Sequence, residues 1–277
     1  MKKFSARLIH DLEPKSGSFN MAADDVLSRY RFSSDTNMIV RVYRFDPPAV
    51  SLGRNQNLEE VNQSACFRKG WDIVRRPTGG RSLLHLNDIC YSVIIPRLDD
   101  VLKELKNLYQ SVASSLTFTF LSLGIDASKS DSLVEFPLDS EVRKSRLCIG
   151  ARVRGEVHYM GRKLTSASQR IYKDSILQHG SIFIGGDQTV VADVVPGKNM
   201  EDSEFVEKLR GRVTTVEEAL GESLSIQKFL SVFEDRLGRQ FDVNLDDSPL
   251  DGSELKAIAS SQNLFSLAPV PQNISAA

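Results

Sequence analysis

Cys148, Lys163 and the run RRPTGGR at 75–81 are the residues whose types and spacing could do chemistry. The thiolate is the nucleophilic form of cysteine, and nearby cations favour it. Cys148 follows a polar stretch and has Arg143, Lys144, Arg146, Arg152 and Arg154 close in sequence. It is either an activated nucleophile or a small buried hydrophobe, the commoner fate of a lone cysteine. Lys163 stands in GRKLTSASQ, where small and hydroxylated neighbours let a ligand approach the backbone. Enclosed there, a lysine can donate to an acyl carbonyl or hold a thiolate as an ion pair; at a sheet edge it is simply solvated. In RRPTGGR, Gly79 and Gly80 permit positive φ, while Arg75, Arg76 and Arg81 carry donor forks suited to phosphate or carboxylate. The run has neither Walker A nor GxGxxG spacing, so it reads as an anion site or as a bend with solvated arginines. His85 and His179 lie beside strand ends, fit for acid, base or donor work or for a structural hydrogen bond.

Composition limits what these groups serve. The chain has 277 residues and a formal net charge of −1, with 35 basic against 36 acidic side chains. That balance excludes a generic nucleic-acid coat, which draws on accumulated positive charge. No apolar run approaches the roughly 18 residues of a membrane span, and MKKFSARLIHDLE lacks a signal-peptide core, so a cytoplasmic protein is expected. Cys66, Cys90 and Cys148 stand in no CxxC spacing and the four histidines are scattered. Reduced thiols and no metal site are therefore expected.

Elements must position the candidates. Phe19, Ala22, Ala23, Val26, Leu27 and Tyr30 mark one helical face, with Ser18 or Asn20 as N-cap. MIVRVYRF (38–45) predicts a strand and AVSLGRNQ (49–56) a short strand entering a glycine turn, whereas 58–69 is weakly helical up to Gly70. WDIVRR (71–76) and ICYSVIIP (89–96) predict a hairpin-like unit with RPTGGRSLLH at its bend. Val101 to Leu116 predicts a long helix stopped near Gly124; residues 126–146 read as irregular. Residues 156–172 read as two strands around Met160-Gly161, and 176–186 as a third. Thr215 to Glu218 fits a capping box, and Ser225 opens a helix ended by Gly238. Strands followed by helices favour an α+β fold: a main unit at 1–198, a small helical extension at 199–265 and a loose tail at 266–277.

Taken together, SGSFNMAADD, PPAVSLGRNQ, VRRPTGGRSLLH with YSVIIP, Cys148, Glu156 with GRKLTSASQ, and ILQHGSIFI resemble the lipoate/biotin protein ligase superfamily. Within it the match is nearer to the LipM-type octanoyltransferases. The resemblance implies a mixed, largely antiparallel β-sheet flanked by helices, with a slot for a medium acyl chain. It implies Cys148 as acyl-thioester nucleophile and Lys163, 15 positions on, as its active-site partner. It places Arg75, Arg76, Thr78, Gly79, Gly80, Arg81 and His85 in the loop bordering the acyl site. Ser166, Ala167, Ser168, Gln169, His179 and Gly180 fall on the strands lining it. Implied partners are acyl carrier protein as octanoyl donor and a lipoyl domain as acceptor, either glycine-cleavage H protein or a dehydrogenase acyltransferase subunit. A monomer is expected, with no cofactor; ATP and magnesium belong to the rival reading, a lipoate ligase. A non-catalytic binder of lipoyl or carrier domains is the third reading. The chain departs from the family pattern at Ser166, where Lys-x-x-Gly is usual, at Ala167-Ser168, where Ser-Ala or Asn-Ala is usual, and at Leu86, where an acidic residue is common.

Overall fold

The computed structural model describes residues 4–29, 36–129, 144, 147–150 and 156–267. Arg143, Arg146, Arg152, Arg154, most of the expected irregular stretch and residues 268–277 lie outside the described residues.

In chain order the first half contains β1 (Phe4–Lys15), α1 (Gly17–Ser28), β2 (Thr36–Phe45), β3 (Ala49–Leu52), α2 (Gln63–Arg68), β4 (Asp72–Arg75), β5 (Leu83–His85), β6 (Asp88–Pro96) and α3 (Val101–Ser122). There follow β7 (Ala127–Lys129), β8 (Val157–Tyr159), β9 (Arg162–Lys163), β10 (Thr165–Ile171), β11 (Ser175–Phe183), α4 (Ser203–Arg210), α5 (Val216–Leu220), α6 (Ile226–Phe241), β12 (Val243–Asp247) and α7 (Gly252–Ser261). The main sheet has the order β10-β11-β6-β2-β1-β12. Its pairs from β10 to β2 are antiparallel, and β2-β1 and β1-β12 are parallel. The α+β class with a mixed, largely antiparallel sheet is therefore as expected.

Strand alternation sorts the sheet into two faces. Met38, Val40, Val42, Tyr91 and Val93 point one way, into a core closed by Leu108, Val112 and Phe120 of α3 and Phe229, Phe233 and Leu237 of α6. Ile39, Ile94 and Leu177 point the other way, with Leu27 of α1. Of the C-terminal helices, α5 and α6 thus share the main core, whereas α4 packs in a second cluster and α7 against α1; β12 completes the sheet beside β1. Neither β1 nor β12 was expected from the sequence.

Local differences have local causes. The N-cap of α1 is Ser16, whose hydroxyl accepts from the Phe19 amide, ahead of both expected caps, Ser18 and Asn20. The helix of 226–241 runs through Gly238 and ends at Asp242 with φ 53°. Burial of Leu237 on α3's side outweighs the roughly 1 kcal/mol a mid-helix glycine costs. Thr215 caps α5, but the Glu218 carboxylate turns to Arg162 and Thr214 rather than back to its cap. Met160 and Gly161, both at positive φ, make the tight β8–β9 turn. The second strand expected after that turn breaks at Leu164: β9 pairs with β8, whereas β10 joins the main sheet.

The largest correction concerns the hairpin-like unit. β4 does not pair with β6; β3 lies between β4 and β5 in a separate three-stranded sheet, and β6 enters the main sheet. SLLH is therefore a strand in its own right, pairing antiparallel with β3; the Gly-Gly loop connects two strands of this small sheet, and the chain crosses to the main sheet only between β5 and β6.

Candidate active site

Register brings the site together. Ser166, Ser181, Cys90 and Tyr43 stand opposite one another across four strands, and Ser168, His179, Ser92 and Arg41 form the second row along. Directly paired residues share a face. These two rows therefore give the α1 side of the sheet a polar floor, while in the row between them Tyr91 and Val42 face the aliphatic core. Above the floor lies a cavity of about 240 Å³, lined by Met21, Tyr43, Ser51, Arg76, Gly80, Arg81, Leu83, His85, Cys148, Glu156, Ser166, Ala167, Ser168, His179 and Gly180. It is smaller than the roughly 300–1,000 Å³ of a drug-sized ligand site and suits a slender molecule.

The Gly-Gly loop is its lid, and backbone contact fixes it. Gly80 has φ +94°, and a Cβ on Gly53 would lie 2.0 Å from the Gly80 carbonyl oxygen, so the two turns touch backbone to backbone. Arg75 donates to the carbonyls of Gly53, Arg54 and Gln56 at 2.7–3.2 Å. Arg76 donates to those of Ser51, Gly79 and Arg81 at 2.7–3.1 Å. Burial pushes the Arg76 guanidinium down to about 10, against the opposing pull of the Cys148 sulfur. Two of the three arginines expected at an anion site thus brace the loop, and of these two only Arg76 reaches the cavity, beside Arg81. Thr78 and Gly79 act from behind the lid: the Thr78 hydroxyl meets His179 Nε2 at 2.7 Å, and the Gly79 carbonyl accepts from Ser168 at 3.1 Å. Gln169 also stands off the cavity, donating to Leu105 of α3 and to Gln178.

Both histidines are held on both nitrogens. His179 Nδ1 lies 2.8 Å from Asp24, a carboxylate that also receives Tyr43 at 3.0 Å and Arg41 at 3.3 Å. His85 Nδ1 lies 2.8 Å from Asp88 and its Nε2 2.9 Å from the Ser51 hydroxyl, with Phe45 stacked on the ring at 4.0 Å. Asp24, Tyr43, Arg41 and Asp88 are site residues that sequence reasoning missed. An acid on the buried face of an apolar helix, as Asp24 is, was the available signal. His85, Asp88 and Cys90 bring one ligand atom each within 4.8 Å, yet these atoms are already partnered with one another.

These buried pairs make stability fall on acidification. Burial pushes the His179 imidazole below its ordinary value of 6.5, beyond what Asp24 restores. Burial alone would raise Asp24 and Asp88 above 3.8, but their histidines and hydroxyl or guanidinium partners hold both below it. A histidine kept neutral by folding loses its stabilising share as pH falls below about 6.5, and the depressed carboxylates lose theirs as pH falls below about 4. The urea midpoint is expected to be level from pH 8 to 7, to decline below 6.5 and to decline further below 4. A midpoint unchanged down to pH 4.5 would contradict the His179 assignment.

Cys148 opens a short 3-10 turn, its amide donating to the Ser82 carbonyl at 2.8 Å, and its half-buried sulfur lies 2.7 Å from the Ser166 hydroxyl. Beneath it, the Lys163 ammonium donates to the Cys148 carbonyl at 3.0 Å and contacts both Glu156 oxygens, at 3.0 and 2.9 Å. Lysine and glutamate side chains are each 1% exposed. Burial alone would lower the lysine; Glu156 and then Cys148 outweigh it, so the group is firmly cationic. Lys163 and Cys148 are thus together as expected, but through the cysteine carbonyl and with Glu156 as the lysine's main ion partner.

Residues 16–238 match the lipoyl protein ligase A/B catalytic domain family. Similar curated proteins are named octanoyltransferase LipM: one from Geobacillus kaustophilus is 31% identical, covering 73% of this chain and 78% of its own. One from Bacillus subtilis is 27% identical, covering 92% and 93%. Among solved structures, lipoate-protein ligase A bound with ATP superposes with a TM-score of 0.73 at 21% identity, over 94% of this chain and 95% of that one. The bipartite lipoate protein ligase of Thermoplasma acidophilum, studied with its E2 lipoyl domain, superposes with a TM-score of 0.73 at 19% identity, over 95% and 93%. Those structural likenesses speak for the fold alone, whereas the match over 16–238 includes every residue placed around the cavity: this chain belongs to the lipoyl protein ligase A/B catalytic domain family.

Proposed function

We propose that this protein transfers an octanoyl group from acyl carrier protein to a lysine of a lipoyl domain, through a thioester on Cys148. The observation that carries the reading is a half-buried thiol on the wall of a narrow cavity, with a buried ammonium beneath it. The names of the LipM relatives support octanoyl as the group moved.

The Cys148 thiolate adds to the donor's thioester carbonyl. The carbon–sulfur bond to the phosphopantetheine arm then breaks, and the departing thiolate takes up a proton. In the second half the neutral amine of the acceptor lysine adds to the acyl-enzyme, Cys148 leaves as thiolate, and the amine's surplus proton passes to solvent. Thioester exchange is nearly isoenergetic and amide formation runs downhill, so no ATP is needed. Lys163 supports the sulfur electrostatically while remaining tied to Glu156.

Intact mass spectrometry tests this. Mixed with octanoyl-carrier protein and no nucleotide, the protein is expected to gain about 126 Da, an octanoyl group in place of hydrogen on a nucleophilic cysteine. Adding apo lipoyl domain is expected to discharge the adduct. No adduct, together with acylation of the lipoyl domain only from free acid and Mg-ATP, would replace this reading with a ligase.

A further inference from the structure

The described hydrogen bonds of the Lys163 ammonium end on Glu156 and on the Cys148 carbonyl oxygen, not on the sulfur. Its charge is further offset by a carboxylate at 2.9 Å. Among the described residues, the group in hydrogen-bonding contact with Sγ is instead the Ser166 hydroxyl, at 2.7 Å. Ser166 is 4% exposed and stands on β10 opposite Ser181, in the row of the sheet that forms the cavity floor. Its backbone is fixed on that side by the β11 pairing, so the hydroxyl can rotate but cannot withdraw.

We propose that Ser166 is a positioning residue, whose hydroxyl donates to the Cys148 thiolate when it forms and aims the sulfur into the cavity. Hydrogen bonding to the charged form of an acid favours that form, and an O–H donor to an anion is among the stronger hydrogen bonds. When the sulfur becomes acylated it loses its charge and most of its acceptor strength. The same hydroxyl is then released to rotate toward the thioester oxygen, which lies two bonds beyond the sulfur.

The inference concerns the free enzyme's thiol and rests on the proposed function only for its purpose, so the two fail separately. Alkylation of Cys148 by iodoacetamide, followed by mass from pH 5 to 10, reads the thiolate directly and needs no acyl donor; Cys148→Ala supplies the blank. Ser166→Ala is expected to raise the alkylation midpoint by about one pH unit, about a tenfold drop in the thiol's acidity. Ser166→Thr keeps the hydroxyl and is expected to restore the parental midpoint. An unchanged midpoint in Ser166→Ala overturns the proposal. Equal shifts in Ala and Thr overturn it too, because the effect then follows packing rather than the hydroxyl. Octanoyl loading by carrier protein, measured in parallel, reports on the proposed function alone.

Discussion

Cys148→Ala is expected to accept no octanoyl group and to transfer it to a lipoyl domain at least about 10³–10⁴-fold more slowly than the parent, the usual consequence of deleting a covalent nucleophile. The other two thiols cannot stand in. Burial pushes Cys66 up to about 11, and fully buried Cys90, beside the Asp88 carboxylate, is also pushed well above the ordinary thiol value. Neither lines the cavity. The side chain removed is small and half-buried, so folding should survive, and an unchanged thermal midpoint is the control. Parental transfer by the alanine variant would end the covalent scheme, whichever acyl donor it used.

Glu156→Gln is expected to destabilise the protein by about 3–5 kcal/mol, the cost of leaving one partner of a buried pair as an uncompensated charge. Glu156 is what holds the Lys163 ammonium cationic against burial, so its removal pushes the lysine down and withdraws the charge beneath Cys148. Urea unfolding at pH 7 measures the first effect and octanoyl loading the second. Combining Glu156→Gln with Lys163→Met should recover much of the stability, because no lone ion is left, without recovering loading. A loss below about 1 kcal/mol in the single variant would mean that water reaches the pair.

The parts of this architecture with local signatures were readable from the sequence. Helical periodicity found α1, α3 and α6, alternation found β2 and β6, and residue type marked Cys148, Lys163, both histidines and the Gly-Gly loop. What was hidden depended on register and long-range pairing. Nothing local distinguishes a hairpin from a chain that leaves β4, pairs SLLH with β3 and enters another sheet at β6. The arginines showed the same limit. Three guanidinium groups suggested an anion, but donor geometry alone cannot say whether carbonyls of the chain's own turns satisfy Arg75 and Arg76 first. Glu156 as the lysine's ion partner became visible only with the β8–β9 turn, and the hydroxyl of Ser166 at the sulfur only when β10 and the 3-10 turn were set side by side.

The pairing of Phe4 with Val243 joins stretches separated by more than two hundred residues. A nascent chain still short of Val243 presents β1 with one bare flank, ready to recruit a strand from another molecule. Such distant closure slows folding and prolongs that exposure, so premature termination before β12 should yield aggregates rather than a smaller active enzyme.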